Sequence, residues 1–241
     1  MPAFPSGPGS APPPPMSAAD ELIYLIGHDL RASTRALTEL PTWIADDITG
    51  LGLDLPESTQ EMLHLLGVHA QRLDNMTSDL LDFSRIGRKQ VRAEINWQSL
   101  LDQLLDECPL PTGFALECDL AAPGAFMGPA DASRILRHLI GNAVKHHDLA
   151  EGRVTLRTRS DGGFCLLSVS DDGPGIPEHL RAKASKMLTT LKPRDEVEGS
   201  GMGLATVRRI AETYGGSFDW IDTPERRGLT VQVSLPLLPP K

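Results

Sequence analysis

The sequence is poor in the residues that build cross-linked or metal-bound scaffolds. Its three cysteines, Cys108, Cys118 and Cys165, are scattered along 241 residues, and no Cys-x-x-Cys occurs. Neither a disulfide framework nor a zinc knuckle is therefore indicated. This cysteine usage is typical of a reducing compartment, so a cytoplasmic location is expected.

Basic charge and long apolar runs are also lacking. The net charge of −9 argues against a nucleic-acid binder, which needs a basic face to neutralise phosphates. No apolar run approaches the ~20 residues of a membrane-spanning helix. Residues 1–19 are proline-rich and uncharged, a composition that predicts a disordered tail and not a secretory signal.

Helical periodicity begins directly after this tail. Apolar residues recur at steps of three and four over residues 22–51 and again over 63–83, which predicts two long amphipathic helices. Between them, Asp54 and Glu57 resemble a capping box, with Pro56 in the first turn of the second helix. One hairpin cannot bury both apolar stripes well, so we expect a homodimer that forms an antiparallel four-helix bundle.

The first helix contains a histidine beside a carboxylate, in the stretch YLIGHDLRAS. His28 lies two residues from both Ile26 and Leu30, which belong to the apolar stripe. Two steps of about 100° each place it on the opposite side of the helix. The imidazole is therefore expected to point outward, which disfavours a buried structural histidine.

The pattern changes near residues 90–96, where we place a domain boundary. Helices are predicted for WQSLLDQLLDEC, ADASRILRHLIGNAVKHH and LATVRRIAETYG, and strands for FALECDL, SFDWID and GLTVQVSL. The stretch RVTLRTRSDGGFCLLSVSD is typical of a β-hairpin. Together these elements predict an α+β sandwich with helices on one face of a single sheet.

Two glycine clusters lie in this second part, DDGPGIP at 171–177 and GSGMGL at 199–204. A lone cluster is usually a turn, but two are typical of a site where the backbone approaches a ligand closely. The second cluster opens a helix, whose free N–H groups suit a polyphosphate. The segment between the clusters is predicted to be a basic, mobile lid and carries Lys183, Lys186, Lys192 and Arg194.

From Glu21 to about Leu235 the sequence resembles two-component sensor histidine kinases. GHDLR resembles the H-box of that family, HLIGNAVKHH its N-box, DDGPGIP its G1 box and GSGMGL its G2 box. The phrasing NAVKHHD and TLKPRDEVEGSGMGL resembles the subgroup that includes many phytochrome-type kinases. The resemblance implies a dimerisation and histidine-phosphotransfer hairpin over residues 20–92 and a Bergerat-type (GHKL) ATP-binding sandwich over 93–241.

The same resemblance implies an ATP-dependent protein-histidine kinase that uses Mg²⁺. His28 would accept the γ-phosphoryl group and pass it to an aspartate in the receiver domain of a response regulator. Asp29 would orient the ring, because a carboxylate on one imidazole nitrogen leaves the other free to attack.

The resemblance also implies a set of nucleotide contacts. Asn142 would ligate Mg²⁺, Lys145 would contact a phosphate and His146 would lie near the adenine. Asp171 would accept a hydrogen bond from the adenine amino group. The remaining cofactor-binding residues implied by the family are Gly173, Gly175, Lys192, Gly199, Gly201, Gly203 and Leu204.

Several positions depart from the family pattern. Ala32 and Ser33 replace the usual Thr or Asn and the Pro of the H-box, which puts phosphatase activity in doubt. Ala184 and Leu188 stand where the lid usually has phenylalanines. His138 replaces the first Asn of the N-box, where ATP-hydrolysing relatives and serine kinases carry a glutamate base. The absence of this glutamate argues against an ATPase or a serine kinase.

Other interpretations remain open from the residues alone. The chain could be a phosphotransfer or scaffold protein with a degenerate ATP domain, and nucleotide binding would separate the two hypotheses. The KHHD stretch could be a solvated helix end, and a zinc site at His146, His147 and Asp148 is disfavoured because adjacent histidines diverge on a helix. No sensor domain is recognisable, so a separate sensor or input protein is expected.

Overall fold

A computed structural model of the chain describes residues 18–88, 90–192, 197, 199–222 and 227–237. Residues 1–17 of the predicted tail lie outside these ranges. The chain divides into two compact units. One contains Met16–Arg85 and Lys183–Met202, and the other contains Ile86–Ala182 and Gly203–Lys241. None of the helices within the described ranges is both long and apolar enough to cross a membrane.

The two predicted long helices are present. Helix α1 spans Ala18–Gly50 and helix α2 spans Glu57–Ser84. The predicted capping box between them is wrong. Pro56 takes the cap position with an extended backbone, without a side-chain hydrogen bond, so Asp54 lies two residues too early to cap the helix.

Small and polar side chains form the contact between α1 and α2. A Cβ added to Gly27 would come within 2.9 Å of Leu81 Cγ. Thr34 is buried and donates a 2.8 Å hydrogen bond to Asp74 Oδ1. Gly27, Thr34 and the buried Pro41 recur every seven residues, which is the spacing of a coiled-coil seam.

The apolar stripe predicted for α1 lies on another face of the helix and remains uncovered in the single chain. Seven of its large side chains are 40% to 75% exposed, and Ile48 is half-buried. Leu66 and Leu73 on α2 are also exposed. The hairpin alone therefore does not bury the stripe, as the sequence pattern predicts. The exposed members on α1 are Leu22, Ile26, Leu30, Leu37, Leu40, Ile44 and Leu51.

The strands of the other unit are β1 (Ala93–Glu94), β2 (Phe114–Leu120), β3 (Phe126–Met127), β4 (Gly152–Asp161), β5 (Phe164–Asp171), β6 (Ser217–Ile221) and β7 (Leu229–Pro236). Five of them form a sheet in the order β2-β4-β5-β7-β6. Strand β2 runs parallel to β4, and all other neighbours are antiparallel. A second, two-stranded sheet pairs β1 with β3, which the sequence did not predict.

Helices cover one face of the large sheet. Alternate residues of the inner strands are buried, as in Val154 and Leu156 of β4, Leu167 of β5 and Val231 and Val233 of β7. Helix α4 (Pro129–Lys145) contacts β4 and β5, and helix α6 (Gly203–Thr213) contacts β6 and β7. This arrangement confirms the predicted α+β class. The helices after the hairpin are α3 (Trp97–Glu107), α4 (Pro129–Lys145), α5 (Glu178–Ala184) and α6 (Gly203–Thr213).

Candidate functional site

His28 lies in the first third of α1 with its side chain 70% exposed, as predicted from its place opposite the apolar stripe. Its Nδ1 atom is 3.3 Å from Asp29 Oδ1. The Tyr24 ring, one turn earlier, lies 6.2 Å from the imidazole between centroids. In the tautomer with a proton on Nδ1, Asp29 accepts that proton's hydrogen bond and Nε2 keeps the lone pair that a nucleophile needs.

Helix α4 presents Asn142 toward the start of α6. A Cβ added to Gly203 would lie 3.4 Å from Asn142 Nδ2 and 3.2 Å from His138 Nδ1. His138 and Asn142 are four residues apart and therefore share one helix face. Leu204, half-buried, is the second residue of α6. The N-box and the last glycine of the second cluster are thus in direct contact.

Two further predicted residues follow Asn142 at the C-terminal end of α4. Lys145 is the last helical residue and His146 is the C-cap, and both are exposed. Their exposure leaves them accessible to a ligand, and the basic charge at Lys145 suits a phosphate.

Asp171 ends β5 and is partly buried. Its Oδ1 accepts a 3.0 Å hydrogen bond from the Gly173 N–H. Burial raises the pKa of Asp171 above its ordinary value, and this hydrogen bond together with the nearby His147 opposes that rise. A partly buried carboxylate with an accepting oxygen suits recognition of an amino group.

The first glycine cluster is tightly packed around this carboxylate. Gly175 has a φ of +69°, and a Cβ added there would come within 2.5 Å of the Gly228 carbonyl oxygen. A Cβ on Gly228 would in turn meet the Asp171 carbonyl oxygen. Side chains are therefore excluded at both positions, and the loop after β5 is fixed against the start of β7.

The predicted lid residues fall in the unit that contains the hairpin. Lys192 is exposed there. Gly201 has a φ of +73°, and a Cβ on it would come within 2.7 Å of the Thr189 backbone. Gly199 belongs to the same unit, and Arg194 lies outside the described residues.

The sequence analysis assigned no role in the nucleotide site to four residues near the first glycine cluster, which are His147, Asp148, Asp172 and Arg227. The side chain of His147, which follows α4, is buried, and its Nε2 lies 3.1 Å from Asp172 Oδ1. Arg227 binds Asp148 at 2.7 Å. Burial acts to raise the pKa of Asp172, but hydrogen bonds from the Arg153 N–H and from His147 lower it overall. The solvated-end interpretation of KHHD is therefore wrong for His147.

Comparison with known proteins places this geometry in a family. Residues 128–239 match the model for histidine kinase-, DNA gyrase B- and HSP90-like ATPases. The methanogenesis regulatory histidine kinase FilI of Methanothrix harundinacea is 25% identical over 222 residues, which is 90% of this chain and 24% of FilI. The aerobic respiration control sensor protein ArcB of Escherichia coli is 28% identical over 226 residues, or 88% of this chain and 28% of ArcB.

Residues 128–239 thus belong to this ATPase family, and the chain is similar over most of its length to two-component sensor histidine kinases. It spans about a quarter of the length of these two sensor kinase relatives. Among solved structures, full-length ShkA, in complex with AMPPNP, has a TM-score of 0.66 at 22% identity and covers 90% of this chain and 46% of ShkA. A solved chain of the mycobacterial sensor histidine kinase MprB has a TM-score of 0.52 at 25% identity, and the match covers 61% of this chain and 97% of that solved chain. The fold is thus that of sensor histidine kinases.

Proposed function

We propose that this chain is an ATP-dependent protein-histidine kinase. In the proposed reaction, Nε2 of His28 attacks the γ-phosphorus of ATP, an N–P bond forms and the bond to the ADP oxygen breaks. The phosphoryl group then passes to an aspartate carboxylate in the receiver domain of a response regulator, which releases the imidazole. The observation that carries the proposal is an exposed histidine held by a carboxylate, on a hairpin joined to an ATPase-type unit.

The partly buried Asp171 and the tightly packed first glycine cluster support ATP as the phosphoryl donor. We assign the adenine amino group to Asp171 and close backbone approach to Gly173 and Gly175. We assign Mg²⁺ to the side-chain oxygen of Asn142, since Mg²⁺ prefers oxygen ligands and shields phosphate charge during transfer. Asn142 is half-buried, and its amide lies beside Gly203 at the start of α6. A metal ion bound to Asn142 would therefore lie close to the backbone of the second glycine cluster.

The remaining assignments concern the phosphates and the adenine. Lys145 and Lys192 would contact phosphates, and His146 would lie beside the adenine. The backbone of the second cluster would bind the polyphosphate through N–H groups at the start of α6. The residues assigned to that cluster are Gly199, Gly201, Gly203 and Leu204.

We further propose that the working form is a homodimer. The exposed apolar stripe on α1, together with Leu66 and Leu73, presents large side chains that a second hairpin would cover. Large exposed apolar patches on soluble chains mark interaction sites. Two hairpins packed antiparallel would bury this stripe in a four-helix bundle.

Incubation with γ-labelled ATP and Mg²⁺ tests the proposed activity. Wild-type protein should acquire label that is lost in acid and retained in base, because phosphohistidine is acid-labile. His28→Ala should remain unlabelled. His69→Ala, an exposed histidine on α2, serves as the matched control and should label like wild type.

Two outcomes would contradict the proposal. Acid-stable label would indicate transfer to a hydroxyl group and favour a serine kinase. If wild type remained unlabelled, like His28→Ala, and showed no measurable ATP binding, the phosphotransfer or scaffold hypothesis would be favoured.

A further inference from the structure

His147 is a buried histidine with both ring nitrogens in contact with polar groups. Its side chain is 1% exposed. Nε2 lies 3.1 Å from Asp172 Oδ1, and Nδ1 lies 3.1 Å from the Leu149 N–H nitrogen. With the proton on Nε2, the neutral ring donates to Asp172 and accepts from Leu149, so one tautomer satisfies both nitrogens.

The ring fills a space that two glycines leave open. A Cβ added to Gly152 would lie 2.8 Å from His147 Nε2, and one added to Gly173 would lie 3.1 Å from His147 Cδ2. The Phe114 ring meets the imidazole edge-on at 5.3 Å between centroids. His147 therefore lies between the first strands of the sheet and the loop that follows β5, with little room to change rotamer.

Asp172 is held at both its side chain and its backbone. Its Oδ1 also accepts a 2.7 Å hydrogen bond from the Arg153 N–H. Its carbonyl oxygen accepts a 3.2 Å hydrogen bond from Arg227 Nε, and Arg227 Nη2 donates to Asp148 Oδ1 at 2.7 Å. We call His147, Asp148, Asp172 and Arg227 the His147 cluster.

Asp172 directly follows Asp171, so whatever fixes the backbone of Asp172 also limits where the Asp171 carboxylate can lie. The residue after Arg227 is Gly228, whose close approach to the Asp171 carbonyl oxygen is described above. The cluster therefore holds Asp171 from the C-terminal end of α4 and from the start of β7. Such support reduces the ordering cost that a ligand meets on binding.

We propose that His147 and Arg227 are positioning residues that aim the Asp171 carboxylate at the amino group of the adenine, and so determine selectivity for an aminopurine. This inference rests on the proposed function, since it takes ATP as the ligand. His147 and Arg227 would thus be determinants of base recognition, although they contact neither phosphate nor base.

The test compares two nucleotides that differ in the amino group alone. ATP and purine riboside 5′-triphosphate, which lacks the 6-amino group, are titrated by calorimetry into the whole chain with Mg²⁺. Wild type should bind ATP more tightly, on the order of tenfold, because a hydrogen bond to a charged group is lost with the analogue. His147→Leu should reduce this ratio to about twofold or less, by weakening ATP binding while leaving analogue binding within about threefold of wild type.

Three variants sharpen the comparison. His147→Gln places an amide donor near the Nε2 position and should restore part of the ratio. Arg227→Leu should lower the ratio as His147→Leu does, and it removes a side chain that is 52% exposed, so it tests the inference even if His147→Leu does not fold. Arg159→Leu is the matched control. Arg159 lies near the C-terminal end of β4, is 54% exposed and also pairs with one aspartate, Asp119.

An equal loss of affinity for both nucleotides in His147→Leu and Arg227→Leu would overturn the inference and leave the cluster a purely structural role. An unchanged ratio would overturn it as well. If wild type bound neither nucleotide, or if Asp171→Asn kept the full ratio, the fault would lie in the proposed nucleotide site itself. Arg159→Leu should retain the wild-type ratio.

Discussion

Replacing Asp131 should destabilise the sheet-containing unit more than almost any other single polar substitution there. Asp131 is fully buried at the start of α4. Its Oδ2 accepts hydrogen bonds from the Gly87 N–H at 2.8 Å, Gln90 Nε2 at 2.6 Å and the Tyr214 hydroxyl at 2.8 Å. Its Oδ1 accepts from Arg134 Nη1 at 2.7 Å. One carboxylate thus joins the segment after the hairpin to both α4 and the end of α6.

The size of the effect follows from these four donors. Tyr214→Phe removes one hydrogen bond to a charged acceptor, and leaves the Gly128 N–H, which donates to the same hydroxyl, without that partner. We expect a loss of about 2 kcal/mol in the free energy of unfolding. Asp131→Ala leaves all four donors without this acceptor and should cost about 3–5 kcal/mol, a large share of a typical domain's stability.

Urea unfolding of the full chain measures both changes. Fluorescence is recorded in a Trp43→Phe background, so that the signal comes from Trp97 and Trp220, which lie in the same unit as Asp131. Asp219→Ala removes an exposed carboxylate from β6 and should shift stability by less than about 0.5 kcal/mol. If Asp131→Ala were no more destabilising than Asp219→Ala, the reasoning about this buried network would be refuted.

Four further predictions concern the site and the hairpin. Asp29→Asn should slow autophosphorylation by about a hundredfold in a single-turnover assay, because the amide no longer orients the imidazole proton; an unchanged rate would remove Asp29 from the chemistry. Burial raises the pKa of Asp171, and the ionised carboxylate is a stronger acceptor for the adenine amino group than the protonated form. ATP affinity should therefore begin to fall, on acidification, at a higher pH than for an ordinary aspartate, and Asp171→Asn should lack this component in calorimetric titrations. Gly175→Val should abolish measurable ATP binding, because its positive φ and the 2.5 Å approach to a carbonyl oxygen exclude a branched side chain; retained affinity would contradict this packing. Leu37→Glu with Leu40→Glu should yield monomers in light scattering, since the charges fall on the exposed stripe, whereas a persistent dimer would place the interface elsewhere.

Local periodicity was sufficient to predict the long elements. Steps of three and four predicted both hairpin helices, and the same spacing relates Ile135 and Leu136 to Leu139 on the buried face of α4. Alternation predicted the β4–β5 hairpin. The two-residue strands β1 and β3 were missed because two residues carry no period.

The contacts that fix the site could not be predicted from local pattern. In the sequence His147 is flanked by polar and charged residues, a pattern typical of a surface position. The burial of its ring depends on Gly152 and Gly173, which leave room for it. The predicted capping box of α2 is wrong because Pro56, and not Asp54, occupies the N-cap position. The Asp131 network joins residues more than forty positions apart, and no local signal marks such pairs.

The most direct test of the central claim is to locate the phosphoryl group after reaction with ATP and Mg²⁺. The chain has seven histidines, and trypsin separates His28, in the peptide that ends at Arg31, from His64 and His69, which lie between Arg35 and Arg72. Mass spectrometry under alkaline conditions should find phosphate on the peptide that ends at Arg31, with fragments that assign it to His28. Phosphate on another histidine, or on a hydroxyl residue, would contradict the account.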